Sequence, residues 1–562
     1  MVLLKMMKCV FLILILTILN ANAQEKVLKP HQVEKLIKDT YNKVEGACIK
    51  LVIRDTLNDR DFGGFSGVIV SQDGLILTAA HSVMPGIRYR VELPNGQKAV
   101  ATALGRMAFV TADKKLDMAM LKIEEKAKWP FVEMGNSQLL SPGEGCVGIS
   151  YPGSFFQVMP NVRFGRIIRL DDGYGYIEST CKMEPGDSGG ALFDLTGKVI
   201  GIRDKINRSE NENFDIQINL FRKYWSALQK PIDYKILPDS DKIVPVTTQA
   251  ILKVRLPEEP LTSCNAALDS AFAVYNSEKD KIPVALATSI TGKFNNLGKP
   301  VFVSKSSLVS NRPWINYKDK RISLSVCYRD RENDVVVLQS RESLHGLKAI
   351  HIDKYLSSDR NNLQIGRLLI SPLANKRCKE GIVSTQIIEL PQLFSRAQLG
   401  ALLEERDGKV FVQDIAPSYP AEKYLKIGDQ IVSINHLNVS NMEAFVSEIR
   451  KMYMSDSVAL NIIRDKTPML VTIIFEEPKS DHVADDYEGK RSKRSDGFKE
   501  VFVQDAAIPS VECGGPVYDI NGAFVGVNIA RHSRTSTVIL LPSLIYKVVV
   551  ESNNKIGNKL RD

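Results

Sequence analysis

The 562-residue sequence predicts a mainly β protein built from several domains. Short aliphatic and β-branched runs that begin at glycine, such as 67–70 and 74–78, are typical of strands joined in a hairpin. The chain is too long for one hydrophobic core, and about three or four domains are expected at typical domain sizes. A pattern found before residue 200 also recurs after residue 300, which indicates an internal repeat.

Composition and charge indicate folded domains and argue against several classes of partner. Hydrophobic residues make up 44% of the chain and charged residues 25%, which is ordinary for globular domains. The net charge of +9 is mild over this length, and no basic run is interleaved with aromatic residues, so we predict no nucleic-acid partner. No spacing of Cys and His suggests a metal site, and nothing in the sequence calls for a cofactor.

Residues 1–23 have the three regions of a secretory signal peptide. Lys5 and Lys8 precede the apolar run 9–19, and the small residues that end at Ala23 supply a cleavage site. The apolar run is short for a membrane span, which needs about 20 residues. We therefore predict cleavage after Ala23 and a periplasmic or secreted mature chain with no stable membrane span; an uncleaved anchor is the alternative.

Three separated motifs carry the residue types of nucleophilic catalysis. His81 follows a strand-like run, Asp117 lies in the apolar run 116–121, and Ser188 lies within the glycine-rich run 186–190. A serine hydroxyl is a weak nucleophile until an imidazole accepts its proton, and an acid must hold that imidazole in the right tautomer. We predict His81 as the base, Asp117 as the group that orients it and Ser188 as the nucleophile.

The glycines around Ser188 predict an oxyanion hole. Gly186 before it and Gly189 and Gly190 after it let the backbone turn tightly, so that the amides of Gly186 and Ser188 can point at one spot. Taken singly, each motif has a plainer explanation, because a lone histidine is more often a core residue and a lone Gly-Asp-Ser-Gly a turn. The order of the three motifs, each beside an apolar strand, favours the catalytic interpretation.

Residues 31–229 resemble the HtrA (Deg) family of serine proteases, a branch of the trypsin-like fold. The runs 66–81 and 176–188 and the strand of Asp117 carry the resemblance. It implies a two-barrel serine endopeptidase that acts without ATP on unfolded or misfolded exported proteins, in protein quality control, and it leaves a homo-oligomer open. The family often has Asn where Asp187 stands, whereas vertebrate-type trypsins have Asp there.

A second, degenerate trypsin-like domain is predicted from the internal repeat. The run 302–309 parallels 77–83, and the run 512–522 parallels 187–197. In this copy Ser307 takes the place of the base, Asp334 that of the acid and Cys513 that of the nucleophile.

The second copy is predicted to be inert. A cysteine can attack a carbonyl, but without a histidine at the base position Cys513 lacks an activating partner, and Val511 replaces the glycine of the oxyanion loop. His532, beyond the next strand, is the alternative base for a live Cys513.

Residues 395–477 interrupt this second copy and resemble the PDZ domains of HtrA proteins. The resemblance rests on the runs 399–402, 410–412 and 425–435 and on a helix predicted at 441–451. It implies binding of C-terminal peptides as an added strand. The residues expected to capture the peptide carboxylate are Leu399, Gly400, Ala401 and Leu402. The alternative is a packing role, because insertion inside another domain could occlude the groove.

The predicted architecture has seven segments. They are a signal peptide (1–23), a trypsin-like serine protease domain (24–229), a proline-punctuated linker (230–260), the first part of the degenerate trypsin-like domain (261–394), a PDZ domain (395–477), a charged linker (478–499) and the second part of the degenerate domain (500–562). The charged linker is predicted to be solvated. A rival hypothesis for the whole chain is a non-catalytic chaperone or peptide-binding scaffold built from protease and PDZ folds.

Overall fold

The computed structural model describes residues 28–55, 60–112, 114–155, 159–241, 268–294, 300–356, 363–476 and 485–559. Their many strands and few helices confirm the mainly β fold class. The predicted signal peptide (1–23) and the second part of the predicted linker (242–260) lie outside the described residues. Within the described stretches, no helix combines the length and the apolar character that crossing a bilayer requires.

The N-terminal unit, residues 28–241, begins with helix α1 (Pro30–Val44), whose Val33, Ile37 and Val44 reach the core. Its first six strands are β1 (Cys48–Asp55), β2 (Arg60–Ile69), β3 (Leu75–Ala79), β4 (Arg88–Glu92), β5 (Lys98–Val110) and β6 (Lys115–Ile123). They pair in the order β1-β2-β3-β6-β5-β4, and β4 pairs again with β1 to close a barrel. Inward and outward residues alternate along β5, as a barrel wall requires.

A second closed barrel completes this unit. Its strands are β7 (Gly145–Ser150), β8 (Asn161–Arg169), β9 (Tyr176–Ser179), β10 (Ala191–Asp194), β11 (Val199–Ile206) and β12 (Asn213–Gln217). Two short helices follow β12, α2 (Ile218–Lys223) and α3 (Trp225–Leu228), and Tyr224 leaves the helical conformation between them. Strand β13 (Asp233–Tyr234) adds to β5, so the start of the predicted linker belongs to the first barrel.

The C-terminal unit, residues 268–394 and 485–559, begins with a sheet that repeats the first barrel. Its strands are β14 (Ala271–Tyr275), β15 (Ala285–Thr291), β16 (Val301–Lys305), β17 (Trp314–Tyr317), β18 (Lys320–Asp330), β19 (Val335–Ser340) and β20 (Ile350–His351). The first six pair in the order β14-β15-β16-β19-β18-β17, and β17 returns to β14. This is the strand order of β1 to β6.

The chain then forms β21 (Leu368–Pro372), β22 (Cys378–Ile382) and β23 (Ile388–Leu390) and enters the inserted unit, residues 397–476. The elements of the inserted unit are β24 (Ala401–Arg406), β25 (Lys409–Ile415), α4 (Pro420–Tyr424), β26 (Gln430–Ile434), β27 (Leu437–Asn438), α5 (Met442–Arg450), β28 (Ser457–Arg464) and β29 (Thr467–Ile474). The main sheet runs β24-β25-β26-β28-β29, so β24 is an edge strand. Asn441 caps α5 by accepting from the amide of Ala444.

After the insertion the chain returns to complete the sheet that β21 to β23 began. The returning elements are β30 (Phe498–Gln504), β31 (Pro516–Asp519), β32 (Phe524–Arg531), β33 (Thr537–Leu540) and α6 (Pro542–Lys559). The strand order is β22-β21-β31-β32-β33-β30-β23, which places strands from before and after the insertion side by side. The insertion therefore leaves one continuous sheet.

The prediction that the charged stretch is solvated is wrong at residues 492 and 494–496, although Asp485, Glu488, Lys490 and Lys493 are exposed. Arg494 and Asp496 are buried. The Arg494 guanidinium donates to the carbonyl oxygens of Arg331 and Glu332, and the Asp496 carboxylate accepts from backbone amides just before the inserted unit. A run of charged residues in a sequence does not reveal that backbone groups elsewhere in the chain will form hydrogen bonds with the buried charged side chains.

Candidate active site

His81 and Asp117 are brought together by neighbouring strands of the first barrel. Strand β3 is wholly buried and ends in the 3-10 turn Ala80–Ser82, which presents His81 beside Asp117 on β6. The His81 amide donates to Asp117 Oδ1 at 2.7 Å, and the ring Nδ1 lies 3.0 Å from Asp117 Oδ2. A carboxylate that holds the Nδ1 proton leaves Nε2 as the ring atom that can accept one.

A second carboxylate, which the sequence analysis did not single out, also contacts the ring. Asp204 on β11 places Oδ1 3.3 Å from His81 Nδ1, and the Tyr176 hydroxyl donates to Asp204 Oδ2 at 2.5 Å. The Asp204 side chain is only 2% exposed. The signal in the sequence was the charged run Arg203-Asp204-Lys205 within a strand whose other residues are Gly201 and aliphatic residues.

The two carboxylates make the His81 ring a strong base. Its pKa is raised to about 10, first by the hydrogen bond to Asp117 and then by that to Asp204. Burial in turn raises the pKa of Asp204. Negative charge on these carboxylates stabilises the imidazolium. The protonated ring cannot accept a proton from Ser188, so the fraction of His81 that can act as a base grows as the pH rises towards the pKa of the ring.

Asp204→Asn should lower the pKa of His81, because it removes one of the two negative charges that favour the imidazolium. An NMR titration of the His81 ring in the wild type and the variant measures the shift. Asp172→Asn is the matched control, because the Asp172 carboxylate lies near Lys205 and not at the ring. An unchanged His81 titration in Asp204→Asn would show that Asp204 is neutral there.

Ser188 lies on the loop between β9 and β10 and is fixed to the first barrel through its backbone. The amide of Ser66 on β2 donates to the Ser188 carbonyl oxygen at 2.9 Å. The next residue, Gly189, has φ +85°, and a Cβ there would lie 2.0 Å from Thr78 Oγ1. Only glycine fits where the loop crosses β3 so closely.

The Ser188 hydroxyl lies near Asp204, so Asp204 contacts both His81 and Ser188. Ser188 Oγ donates to the Asp204 carbonyl oxygen at 3.4 Å. In the part of the chain that the structure describes, no hydrogen bond joins Ser188 Oγ to the His81 ring. Such bonds are often long in free enzymes and shorten when substrate binds.

The backbone of the loop leaves two amides unpaired. The Pro185 carbonyl accepts from the Gly153 amide at 2.8 Å, and the Asp187 carbonyl accepts within the loop at 2.9 Å. In a trans peptide the N–H points opposite to the C=O, so the amides of Gly186 and Ser188 face the other way. Neither amide has a partner among the described residues, and Gly186 has φ +96°.

Asp187, a small departure from the resembled family, anchors this loop from inside. Its buried carboxylate forms an ion pair with Arg163, whose side chain is also buried. It accepts further hydrogen bonds from the Ser150 hydroxyl and the Glu184 amide, each at 2.8 Å. Nothing in the sequence indicated Arg163, because it lies on a separate strand, β8.

Lys182 lies six residues before Ser188. Its side chain lines a cavity of about 150 Å³ together with Thr180, Leu368 and Asp505. Burial lowers the pKa of Lys182. The cavity lies at the contact with the C-terminal unit, where Lys182 faces Asp505.

The predicted carboxylate-binding loop, residues 399–402, leads into the edge strand β24. Gly400 has φ +74°, and a Cβ there would lie 2.0 Å from the Tyr419 Cβ, so glycine is required. Helix α5 packs beside β24. Among the described residues β24 pairs only with β25, and Leu402 is 58% exposed. An added strand could therefore pair with the edge of β24 beside α5.

The corresponding site of the C-terminal unit has the same frame without the base. The Ser307 amide donates to Asp334 Oδ1 at 2.7 Å and its hydroxyl to Oδ2 at 2.8 Å, which repeats the two contacts of His81 with Asp117. Lys305 also donates to Asp334 Oδ2 at 2.6 Å, as a buried ion pair. The acid is therefore neutralised by a lysine and orients no imidazole.

Cys513 occupies the nucleophile position of that unit and is fully buried. Burial raises the pKa of its thiol. Its contacts are the Ser492 hydroxyl and the Pro509 carbonyl oxygen. His532, the alternative base, places its two ring nitrogens 2.9 Å from the carbonyl oxygens of Ser154 and Ser495 and not at the thiol.

Comparison with known proteins identifies two domain families in the chain. Residues 65–202 match the trypsin-like peptidase domain, and residues 397–474 match the PDZ domain. These matches and the folds around them confirm a trypsin-like domain and an inserted PDZ domain.

Relatives of known class are HtrA and DegP-like serine proteases. A probable periplasmic DegP-like serine endoprotease from Bartonella henselae is 31% identical over 33% of this chain and 36% of its own length. Serine protease HTRA1 from Xenopus laevis is 34% identical over 28% of this chain and 35% of its own. Serine protease HTRA3 from Homo sapiens is 33% identical over 34% of this chain and 48% of its own. The chain spans less than half the length of each of these relatives.

Proposed function

We propose that the chain is an HtrA-like serine endopeptidase that hydrolyses peptide bonds with Ser188, His81 and Asp117. One observation carries the proposal. Asp117 holds His81 at two points beside a loop whose Gly186 and Ser188 amides are unpaired. This is the arrangement that acyl transfer requires, with a base fixed in one tautomer and donors free to bind a developing oxyanion.

In the proposed reaction Ser188 Oγ attacks the substrate carbonyl while His81 Nε2 accepts its proton. Asp117 stabilises the imidazolium, and the Gly186 and Ser188 amides stabilise the oxyanion. His81 then gives the proton to the leaving amine, which leaves an acyl ester on Ser188. Water, deprotonated by the same ring, releases the acid and restores the serine hydroxyl.

The proposed substrates are unfolded or misfolded exported proteins. Relatives from Bartonella henselae and Chlamydia trachomatis are named periplasmic endoproteases, which agrees with the export that residues 1–23 predict. We propose a periplasmic or secreted location and a part in protein quality control. A homo-oligomer stays a prediction.

The test is incubation of the purified chain with an unfolded protein such as casein, followed by mass spectrometry of new N-termini. Cleavage by the wild type, without ATP or added metal, supports the endopeptidase. Suppression of aggregation without any new N-terminus would favour the rival chaperone or scaffold function.

We further propose that residues 261–394 and 500–562 form the degenerate trypsin-like domain. Support comes from the repeated strand order and from repeated backbone contacts at the nucleophile. The Leu286 amide donates to the Cys513 carbonyl oxygen at 3.0 Å, as the Ser66 amide does to that of Ser188.

Cys513→Ala should leave peptide hydrolysis unchanged, because the buried thiol has no base and Lys305 neutralises the acid. Steady-state kinetics on a peptide substrate, with a thermal melt to compare stability, measures this. A large loss of activity in a variant as stable as the wild type would reveal a working second site.

The proposed ligand of the PDZ domain is a free peptide C-terminus with an apolar last residue. Clustered backbone amides favour an ionised carboxylate and gain little from a neutral amide, so C-terminal amidation should abolish binding. Titration of the full chain carrying Ser188→Ala with free and amidated peptides measures this. Equal affinity for both peptides, or no binding across a peptide library, would contradict the proposed ligand and favour a packing role for the PDZ domain.

A further inference from the structure

The C-terminal unit reaches the loop that carries Ser188 through residues 531–535, the bridging loop, which begins at the last residue of β32. The two units pack together at other places as well. The Phe164 amide donates to Asp505 Oδ2 at 2.7 Å, and the Val162 amide donates to the Ser384 carbonyl oxygen at 3.1 Å. The bridging loop therefore belongs to an extended contact between the units.

The first contact of the bridging loop is with the nucleophile loop itself. The Thr535 hydroxyl donates to Glu184 Oε2 at 3.0 Å, while the Ser154 hydroxyl donates to Glu184 Oε1. Glu184 is buried, and a buried carboxylate is costly unless its oxygens are hydrogen-bonded. Glu184 is held by one hydroxyl from each unit.

Glu184 in turn sets the shape of the loop that presents Ser188. Its carbonyl oxygen accepts from the Asp187 amide at 3.1 Å, and its own amide donates to the Asp187 carboxylate at 2.8 Å. Gly186 and Ser188 lie on either side of Asp187. A shift of Glu184 would therefore change the direction of the two unpaired amides.

The second contact is with the loop between β11 and β12. The Arg531 guanidinium donates to Glu210 Oε1 at 2.6 Å, and both side chains are buried. Arg534 donates to the carbonyl oxygens of Arg208 and Ser209. The Glu210 carbonyl oxygen accepts from Asn213 at 2.9 Å, which ties this loop to the start of β12.

The third contact is with the turn that holds the Pro185 carbonyl. One His532 ring nitrogen lies 2.9 Å from the Ser154 carbonyl oxygen, and the His532 ring packs against Phe155 with centroids 4.9 Å apart. Gly153, in the same turn, donates to Pro185. The nucleophile loop and two segments beside it, residues 153–155 and 208–213, are thus held from the C-terminal unit.

We propose that the bridging loop positions the oxyanion-forming amides, so that the C-terminal unit, itself without a working site, is required for full activity of the peptidase domain. Thr535 and Arg531 are positioning residues that act through Glu184 and Glu210. The inference rests on the proposed endopeptidase function. Loss of the Thr535 hydroxyl should lower the rate of acyl transfer and leave substrate binding largely intact, because the oxyanion exists only after the attack.

The test compares Thr535→Val, which removes the hydroxyl at nearly the same volume, with Thr535→Ser, which keeps it. Thr288→Val is the matched control, because the buried Thr288 hydroxyl donates to the Gly514 carbonyl oxygen within the C-terminal unit only. Thr535→Val should lower kcat about 10-fold or more with little change in KM, as expected for a lost hydrogen bond to a charged group. Thr535→Ser and Thr288→Val should keep a kcat near that of the wild type.

A second readout is independent of catalysis. Hydrogen exchange of residues 183–190, measured in the Ser188→Ala background, should be faster in Thr535→Val than in Thr288→Val. Arg534→Lys, which keeps the charge but breaks the fork to Arg208 and Ser209, is a second arm and should speed exchange in residues 207–213. It serves on its own if Thr535→Val does not fold.

Unchanged kcat and unchanged exchange in Thr535→Val and Arg534→Lys would overturn the proposal, and so would an equal loss of kcat in Thr288→Val. A wild type that neither cleaves peptides nor reacts with a fluorophosphonate would instead refute the proposed function. The exchange experiment would then still decide whether the bridging loop holds the nucleophile loop.

Discussion

Replacing Asp117 by Asn is expected to lower kcat/KM by about 10³ to 10⁴-fold, because the Asn side-chain amide favours the wrong tautomer of His81. The Asn Oδ1 can still accept from the His81 amide, so the turn that presents the ring should keep its place. Its Nδ2 group, however, donates where the ring Nδ1 now donates to a carboxylate. Nε2 would then carry the proton and could not receive one from Ser188.

In Asp117→Asn one carboxylate, that of Asp204, still lies 3.3 Å from His81 Nδ1 and can partly replace Asp117. The double variant Asp117→Asn, Asp204→Asn should therefore lose more activity than Asp117→Asn alone. Asp172→Asn serves as a nearby carboxylate control with wild-type kinetics. A folded Asp117→Asn protein with near wild-type kcat/KM would contradict the roles given to the triad.

Ser188→Ala is expected to reduce the rate of peptide hydrolysis by a factor on the order of 10⁶, as removal of a nucleophile does in serine proteases. Its hydroxyl donates a long hydrogen bond, at 3.4 Å, to the Asp204 carbonyl oxygen, so the melting temperature should change little. Kinetics and a thermal melt of the same preparation measure both. Cys513→Ala, prepared in parallel, controls for the loss of a nucleophile atom elsewhere in the chain.

The triad could be predicted from the sequence because each member lies in its own local motif, next to an apolar strand. His81 follows the buried β3, and Ser188 lies among glycines that the close crossing of Thr78 requires. The inserted domain was equally visible, since Gly400 and the neighbouring strands and helix form a local pattern. These features depend on residues that are close together in the chain.

The remaining parts of the site depend on residues that only the fold brings together. The ion pair of Asp187 with Arg163 joins the nucleophile loop to strand β8, and the contact of Asp204 with His81 joins two barrels. The hydrogen bond from Thr535 to Glu184 joins residues 351 positions apart. The spacing of residues along the chain does not predict such pairs.

The wrong prediction for residues 492 and 494–496 has the same origin. A run of charged residues predicts a solvated segment, because the sequence does not show which distant backbone groups will form hydrogen bonds with the charged side chains. Arg494 finds backbone carbonyl oxygens in the turn before β19, 162 and 163 positions away.

The most direct test of the central claim is to treat the full chain with a fluorophosphonate and to locate the adduct by peptide mapping. An activated serine reacts covalently with this reagent, whereas an ordinary hydroxyl does not. A single adduct on Ser188, formed faster as the pH rises and absent from His81→Ala, is the result that the structure predicts. No adduct on the folded wild type, or an adduct on another residue such as Ser307, would contradict it.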